Sequence, residues 1–127
     1  MDPSPIRMLI CDDEELIRWS LGTHFTAAGY HVREASNGQQ ALDQIHISQP
    51  DILLLDLRMP ERSGMEVMKQ VKQNDYRFPI IVLTAHGAID SAIMATKLGS
   101  HAYLSKPFKL CEVQEVVEKA LEASRLH

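Results

Sequence analysis

Short apolar runs alternate with amphipathic stretches along the whole chain. The most continuous run, Ile52 to Leu55, lies between Asp51 and Asp56. An unbroken apolar quartet of strand length predicts a strand covered on both faces, as in a parallel sheet with helices on each side. Residues Ile6–Cys11 form a similar run and end in Asp12, Asp13, Glu14 and Glu15, acids that suit the positive start of a helix. That helix is expected over about 14–28, with Ile17, Leu21, Phe25 and Ala28 at helical spacing and Gly29 as its stop. A weaker strand, 31–35, is interrupted by Arg33 and Glu34. Asn37 and Gly38 then open a helix through Ala41, Leu42 and Ile45, and Pro50 keeps it from running into the central strand.

Beyond Asp56 a loop, 57–63, leads to a helix over 64–73 that turns Val67, Met68 and Val71 inward. Pro79 introduces a strand at 80–83, which ends at Thr84-Ala85-His86-Gly87. A fourth helix through Ile89, Ala92, Ile93 and Thr96 is expected to stop at Gly99, with Met94 and Lys97 off its buried stripe and open to a dimer contact. A short fifth strand, 102–104, ends at Ser105-Lys106-Pro107, and a last helix over about 110–124 buries Val113, Val116, Val117, Ala120 and Leu121. Strand followed by helix, repeated along the chain, predicts an α/β fold: a doubly wound, five-stranded parallel sheet with right-handed crossovers and helices on both faces.

With 127 residues, 45% of them hydrophobic, the chain suits one domain with one core and is too short for two, so residues 1–127 are read as a single domain. The net charge of -4, with both signs interleaved, supplies no basic stripe, and direct nucleic-acid binding by this domain is not expected. No apolar run reaches membrane length, and the N-terminus lacks the positive start and apolar core of a signal. Cys11 and Cys111 follow no metal or disulfide spacing, and the six histidines include no pair at zinc-site spacing. A reduced, cytoplasmic protein is the expectation. Cys11 reads as a small buried hydrophobe, and Trp19, opposite the Ile17 and Leu21 stripe, is either partly exposed or covered by a partner.

In open α/β sheets the ligand crevice lies beyond the carboxyl ends of the strands. Those ends carry Asp12, Asp13, Asp56, Thr84 and Lys106. Taken singly, each has an ordinary reading: acids begin helices, a threonine ends a strand, a lysine is solvated. Taken together, three carboxylates would repel one another unless a cation sat among them. Hard oxygen ligands suit Mg2+, or Mn2+, and a lysine with a hydroxyl opposite suits a phosphoryl group. One aspartate can then act as nucleophile, and Asp56 is the best placed.

The pair Asp12-Asp13, Asp56 ahead of Met59-Pro60 and Gly64, Thr84-Ala85 and Lys106-Pro107-Phe108 together resemble the receiver (CheY-like) domain of bacterial two-component response regulators, over about residues 6–121. The resemblance implies a flavodoxin-like fold in which Asp56 accepts a phosphoryl group from a sensor histidine kinase. It implies that Asp13, Asp56 and the main-chain carbonyl of Arg58 ligate magnesium, with Asp12 acting through water. Thr84, the Ala85 amide, Lys106 and Arg58 would face the phosphoryl group, and the Lys106-Pro107 peptide would be cis. Tyr103 would change rotamer as Thr84 moves, altering the surface of the fourth helix, fifth strand and last helix to control dimerisation or an attached domain. Arg58 and His86 stand at positions associated with the lifetime of the phosphoryl group.

Thr84-Ala85-His86-Gly87 and Lys106-Pro107-Phe108 further resemble receivers of sigma-54-dependent (NtrC-like) activators. That likeness implies an ATPase and a DNA-binding output domain absent from this chain. Turnover of an external substrate is not expected: phosphatases with an aspartyl nucleophile want a second acid two residues on, and Arg58 stands there. A flavin or nucleotide carrier would need a glycine-rich loop where Asp12–Glu15 lie. A receiver-like adaptor that is never phosphorylated would commonly lack part of the acid, threonine and lysine set, which here is complete.

Overall fold

A strand can bury every side chain only at the middle of a covered sheet, and the Ile52–Leu55 run takes that place. The computed structural model describes residues 5–59, 63–85, 93 and 95–125, without the side chain of Arg125. Within them the chain forms β1 (Arg7–Cys11), α1 (Glu15–Ala27), β2 (His31–Ala35), α2 (Gly38–Ile47), β3 (Ile52–Asp56), α3 (Gly64–Gln73), β4 (Ile80–Ala85), β5 (Ala102–Lys106) and a C-terminal helix, Leu110–Arg125. The strands make one parallel sheet in the order β2-β1-β3-β4-β5, and all of β3 is buried. The strand order reverses between β1 and β3, which is where a crevice opens beyond the strand ends.

Alternation along the strands divides the core into two layers. Leu9, Cys11, Leu53, Leu55, Ile80 and Val82 pack with α2 and α3. Met8, Ile10, Ile52, Leu54, Ile81 and Leu83 pack with α1 and the C-terminal helix through Leu21, Phe25, Val113 and Val117. Carried one step past the apolar residues, the same alternation turns Asp12, Asp56 and Lys106 toward the layer of α1, and Thr84 toward that of α2 and α3. The acids and the lysine therefore meet on one side of the sheet.

Local chemistry sets the element ends. The Asn37 Oδ1 accepts the Gln40 N–H (2.8 Å) while Gln40 Oε1 accepts the Ser36 N–H (2.8 Å), a reciprocal cap that starts α2. Ser63 caps α3 through Glu66 N–H. Gly29 (φ +97°) ends α1 in the left-handed region, as its position predicts. Gly64 has a different task. A Cβ there would strike the Asp56 carbonyl oxygen and the Leu57 Cα, so its lack of a side chain lets α3 begin directly against the end of β3.

Two expectations are corrected. β4 runs on to Ala85 and β5 to Lys106, because Thr84 pairs with Ser105 and Ala85 with Lys106 in the ladder. The stripe expected of the fourth helix is out of phase: Ile93 is 53% exposed, while Ala95 is buried and Leu98 packs against the core, three residues apart on one helical face. The acids do lie at the start of α1 as expected, Glu15 in its first turn, while the Glu14 side chain makes no capping bond. Pro60, His86, Gly87, Ile89, Ala92 and Met94 lie outside the described residues. Among the described residues no helix is long and apolar enough to cross a membrane.

Candidate functional site

The layered alternation delivers Asp12 from β1, Asp56 from β3 and Lys106 from β5 to one point. Asp12 is 0% exposed and Asp56 3%. Their carboxylates and that of exposed Asp13 each offer an oxygen within 4.8 Å of the others. The Lys106 ammonium lies 2.7 Å from Asp12 Oδ2, 2.8 Å from Glu14 Oε2 and 3.4 Å from Asp56 Oδ2. The Asp12 contact is the shortest of the three ion pairs. Lys106 precedes a cis peptide to Pro107.

Other groups fix the acids in place. The Asp12 N–H donates to the Ala35 carbonyl (3.1 Å), the Arg18 guanidinium donates to the Asp12 carbonyl (2.7 Å), and Asp12 Oδ1 accepts the Glu14 N–H (2.9 Å). Arg18 is itself paired with Glu34 at 3.5 Å. Asp56 Oδ1 accepts the Arg58 N–H at 3.1 Å, which orients the carboxylate and leaves Oδ2 toward Lys106.

Electrostatics follows from this burial. Desolvation raises the Asp56 carboxyl from 3.8 to about 6, the Asp12 charge adding to the rise while the Arg58 N–H and Lys106 oppose it. Burial alone would lower Lys106, but its contacts with Asp12 and Glu14 and the charge of Asp56 outweigh that and hold it above its ordinary value. Cys11, just beneath, is pushed up to about 12 by burial and then by the charges of Asp12 and Asp56, which agrees with a small buried hydrophobe rather than a nucleophile. Its Sγ rests 3.4 Å from Met59 Sδ.

A cleft of about 510 Å³ opens over these groups, lined by Asp13, Glu14, Asp56, Arg58, Ala85 and Lys106 among others. A larger one, about 740 Å³, sits at the opposite end of the sheet beside Arg7, Asp51 and Arg77. Size does not select between them; only the smaller brings buried carboxylates and an ammonium together. Thr84 is buried on the other side of the sheet and does not line this cleft, and its Oγ1 has no hydrogen-bond partner among the described residues. A buried hydroxyl without a partner costs stability. Tyr103 is 46% exposed on β5, away from the acids.

Residues 8–118 match the response regulator receiver domain family. The chain belongs to that family. This receiver is 37% identical to regulatory protein AtoC of Escherichia coli (strain K12), over 91% of this chain and 25% of that protein. It is 36% identical to sporulation initiation phosphotransferase F of Bacillus subtilis (strain 168), over 91% of this chain and 93% of that one. The crystal structure of the receiver domain of NtrX from Brucella abortus superposes with a TM-score of 0.86 at 28% identity, over 91% of this chain and 98% of that one. The receiver thus spans about a quarter of the length of AtoC and nearly all of the phosphotransferase.

Of the strand-end residues, Asp12, Asp13, Asp56 and Lys106 come together at one cleft, which Arg58 and Ala85 also line, whereas Thr84 is not among its lining residues. Two participants were not singled out by sequence: Arg18, which holds the Asp12 carbonyl, and Glu14, which reaches Lys106. Arg18 carries no sequence signal, since an arginine on a helix is ordinary. Glu14 does carry one: helix N-caps favour Ser, Thr, Asp and Asn, and a glutamate there has another use for its carboxylate.

Proposed function

We propose that this receiver is a magnesium-dependent phosphoacceptor switch in which Asp56 takes a phosphoryl group from a sensor histidine kinase. The observation that carries the reading is a nearly sequestered carboxylate at a strand end, set between two further aspartates and an ammonium. Three carboxylates so close are unfavourable alone, and the oxygen donor set fits a hard divalent cation. Asp13, Asp56 and the Arg58 carbonyl would hold Mg2+ (or Mn2+), with Asp12 acting through water. When bound, the cation supplies charge neutralisation for the approaching phosphate.

The chain's own residues do the rest. The Arg58 N–H keeps the Asp56 carboxylate oriented. One of its oxygens attacks phosphorus, an O–P bond forms, and the donor's bond to phosphorus breaks with its electron pair leaving on the kinase imidazole. Lys106, with the Ala85 amide and Arg58 beside it, would face the transferred oxygens, and the Thr84 hydroxyl would have to move from the other layer to reach them. Movement of Thr84 toward the phosphoryl group vacates space that Tyr103 can enter, which alters the surface of the fourth helix, β5 and the C-terminal helix. The consequence would be homodimerisation or control of an attached sigma-54-type ATPase and DNA-binding domain, in the cytoplasm. The domain would catalyse only its own phosphorylation and dephosphorylation. Intact mass after acetyl phosphate treatment tests this reading: one phosphoryl gained only with Mg2+ and lost in Asp56→Asn is expected, and no adduct in wild type would overturn it.

A further inference from the structure

Lys106 has three anionic neighbours, and the phosphoacceptor is the farthest. Its ammonium lies 2.7 Å from Asp12 Oδ2 and donates hydrogen bonds to Glu14 Oε2 at 2.8 Å and, more weakly, to Asp56 Oδ2 at 3.4 Å. Glu14 joins the end of β1 to the end of β5, two elements that are not neighbours in the sheet. It occupies the N-cap of α1 in an extended conformation (φ −86°, ψ 111°), yet makes no capping bond with its side chain. The Glu14 N–H is itself taken by Asp12 Oδ1. The carboxylate is therefore committed across the cleft, at its exposed rim, where it lines the opening together with Asp13, Arg58 and Pro107.

We propose that Glu14 is a positioning residue that draws Lys106 toward the rim of the cleft and weakens its hold on the phosphoacceptor, so that phosphoryl entry requires the ammonium to leave Glu14. The inference rests on the reading of Asp56 as phosphoacceptor. An incoming phosphate must take over a lysine that already has an anionic partner, and the strength of that hold sets part of the cost of binding an anionic donor. The partner is exposed on one side, so the hold is worth what a partly solvated ion pair is worth, and release amounts to roughly a three- to fivefold change in rate.

Two variants separate the hold from the mere presence of charge. Glu14→Ala removes both, and forfeits no cap because the side chain makes none. Glu14→Asp keeps the charge and withdraws it by one methylene, out of reach of Lys106. Phosphorylation by acetyl phosphate with saturating Mg2+, followed by intact mass, and affinity for fluoroberyllate are compared with wild type. Both variants are expected to react roughly three- to fivefold faster at low acetyl phosphate and to bind fluoroberyllate more tightly by the same factor. A merely structural role would shift melting temperature and leave that factor unchanged. Wild-type rates in both variants, or a rise in Glu14→Ala alone, would overturn the proposal, the latter assigning the effect to charge at the rim. Failure of wild type itself to gain a phosphoryl group would instead overturn the reading of Asp56.

Discussion

Replacing Asp56 by Asn should stabilise the metal-free protein, and by an amount that depends on pH in a defined way. A carboxyl that titrates at 3.8 in the open chain and at about 6 when folded holds its proton about a hundredfold more tightly in the native state. At ~1.4 kcal/mol per tenfold this sets a ceiling of roughly 3 kcal/mol on the cost of ionising it in place. Asparagine keeps the acceptor for the Arg58 N–H and loses the 3.4 Å contact with Lys106, which retains the nearer Asp12 and Glu14. A net gain of about 1–2 kcal/mol above pH 6 is therefore expected, a rise in Tm of roughly 3–8 °C for a domain of this size.

The sign follows from proton binding. Because the native state retains the proton longer than the unfolded chain, wild type is best stabilised by this group below pH 3.8 and loses that stability as pH rises to about 6. The advantage of Asp56→Asn should thus be small near pH 4, grow up to about pH 6 and stay constant to pH 8. Thermal unfolding of both proteins in a chelating buffer measures it. Added Mg2+ should then raise the Tm of wild type more than that of the variant and narrow the difference. A difference that is independent of pH, or a variant less stable than wild type at pH 8, would refute the account of Asp56 as a desolvated carboxylate.

Two further substitutions probe the same architecture. Lys106→Met leaves Asp12 and Asp56 buried without their cation, so metal-free stability at pH 7 should fall by about 3 kcal/mol, with much of it restored by millimolar Mg2+ in a urea titration. Gly64→Ala forces α3 away from the end of β3, and because the clash is with backbone that cannot rotate aside, a loss of more than about 2 kcal/mol is expected from chemical denaturation; an unchanged midpoint would contradict the close approach.

The sheet was legible because its strands carry the signals of burial without ambiguity. Ile52–Leu55 and Ile80–Leu83 are continuous apolar runs, and Pro50, Pro79 and Gly29 punctuate them. The fourth helix was misphased for a physical reason: a small alanine at 95 carries little hydrophobic weight on any scale, so Ile93 drew the stripe toward itself although the close contact is made by Ala95. The site acids could be placed from strand ends because the sheet topology gathers those ends whatever the loops do. The rest of the machinery was harder to see. Arg18 and Glu14 act through the spacing between α1 and distant strands, and no local pattern records a contact between residues 14 and 106.

Facing alternates with every residue of β3 and β4, and this limits how such a chain can change length. Adding or removing one residue between Leu55 and Asp56 would swing the carboxylate through the sheet into the layer of α2 and α3, and a like change before Thr84 would carry its hydroxyl to the other side. Insertions and deletions are thus barred from within these strands near their reactive ends, where one step exchanges inside for outside. The opposite end, where Pro50 and Arg77 border an open cleft, can absorb them. Variation in loop length among descendants of this sequence should accumulate there, while the reactive ends of these strands change by substitution alone.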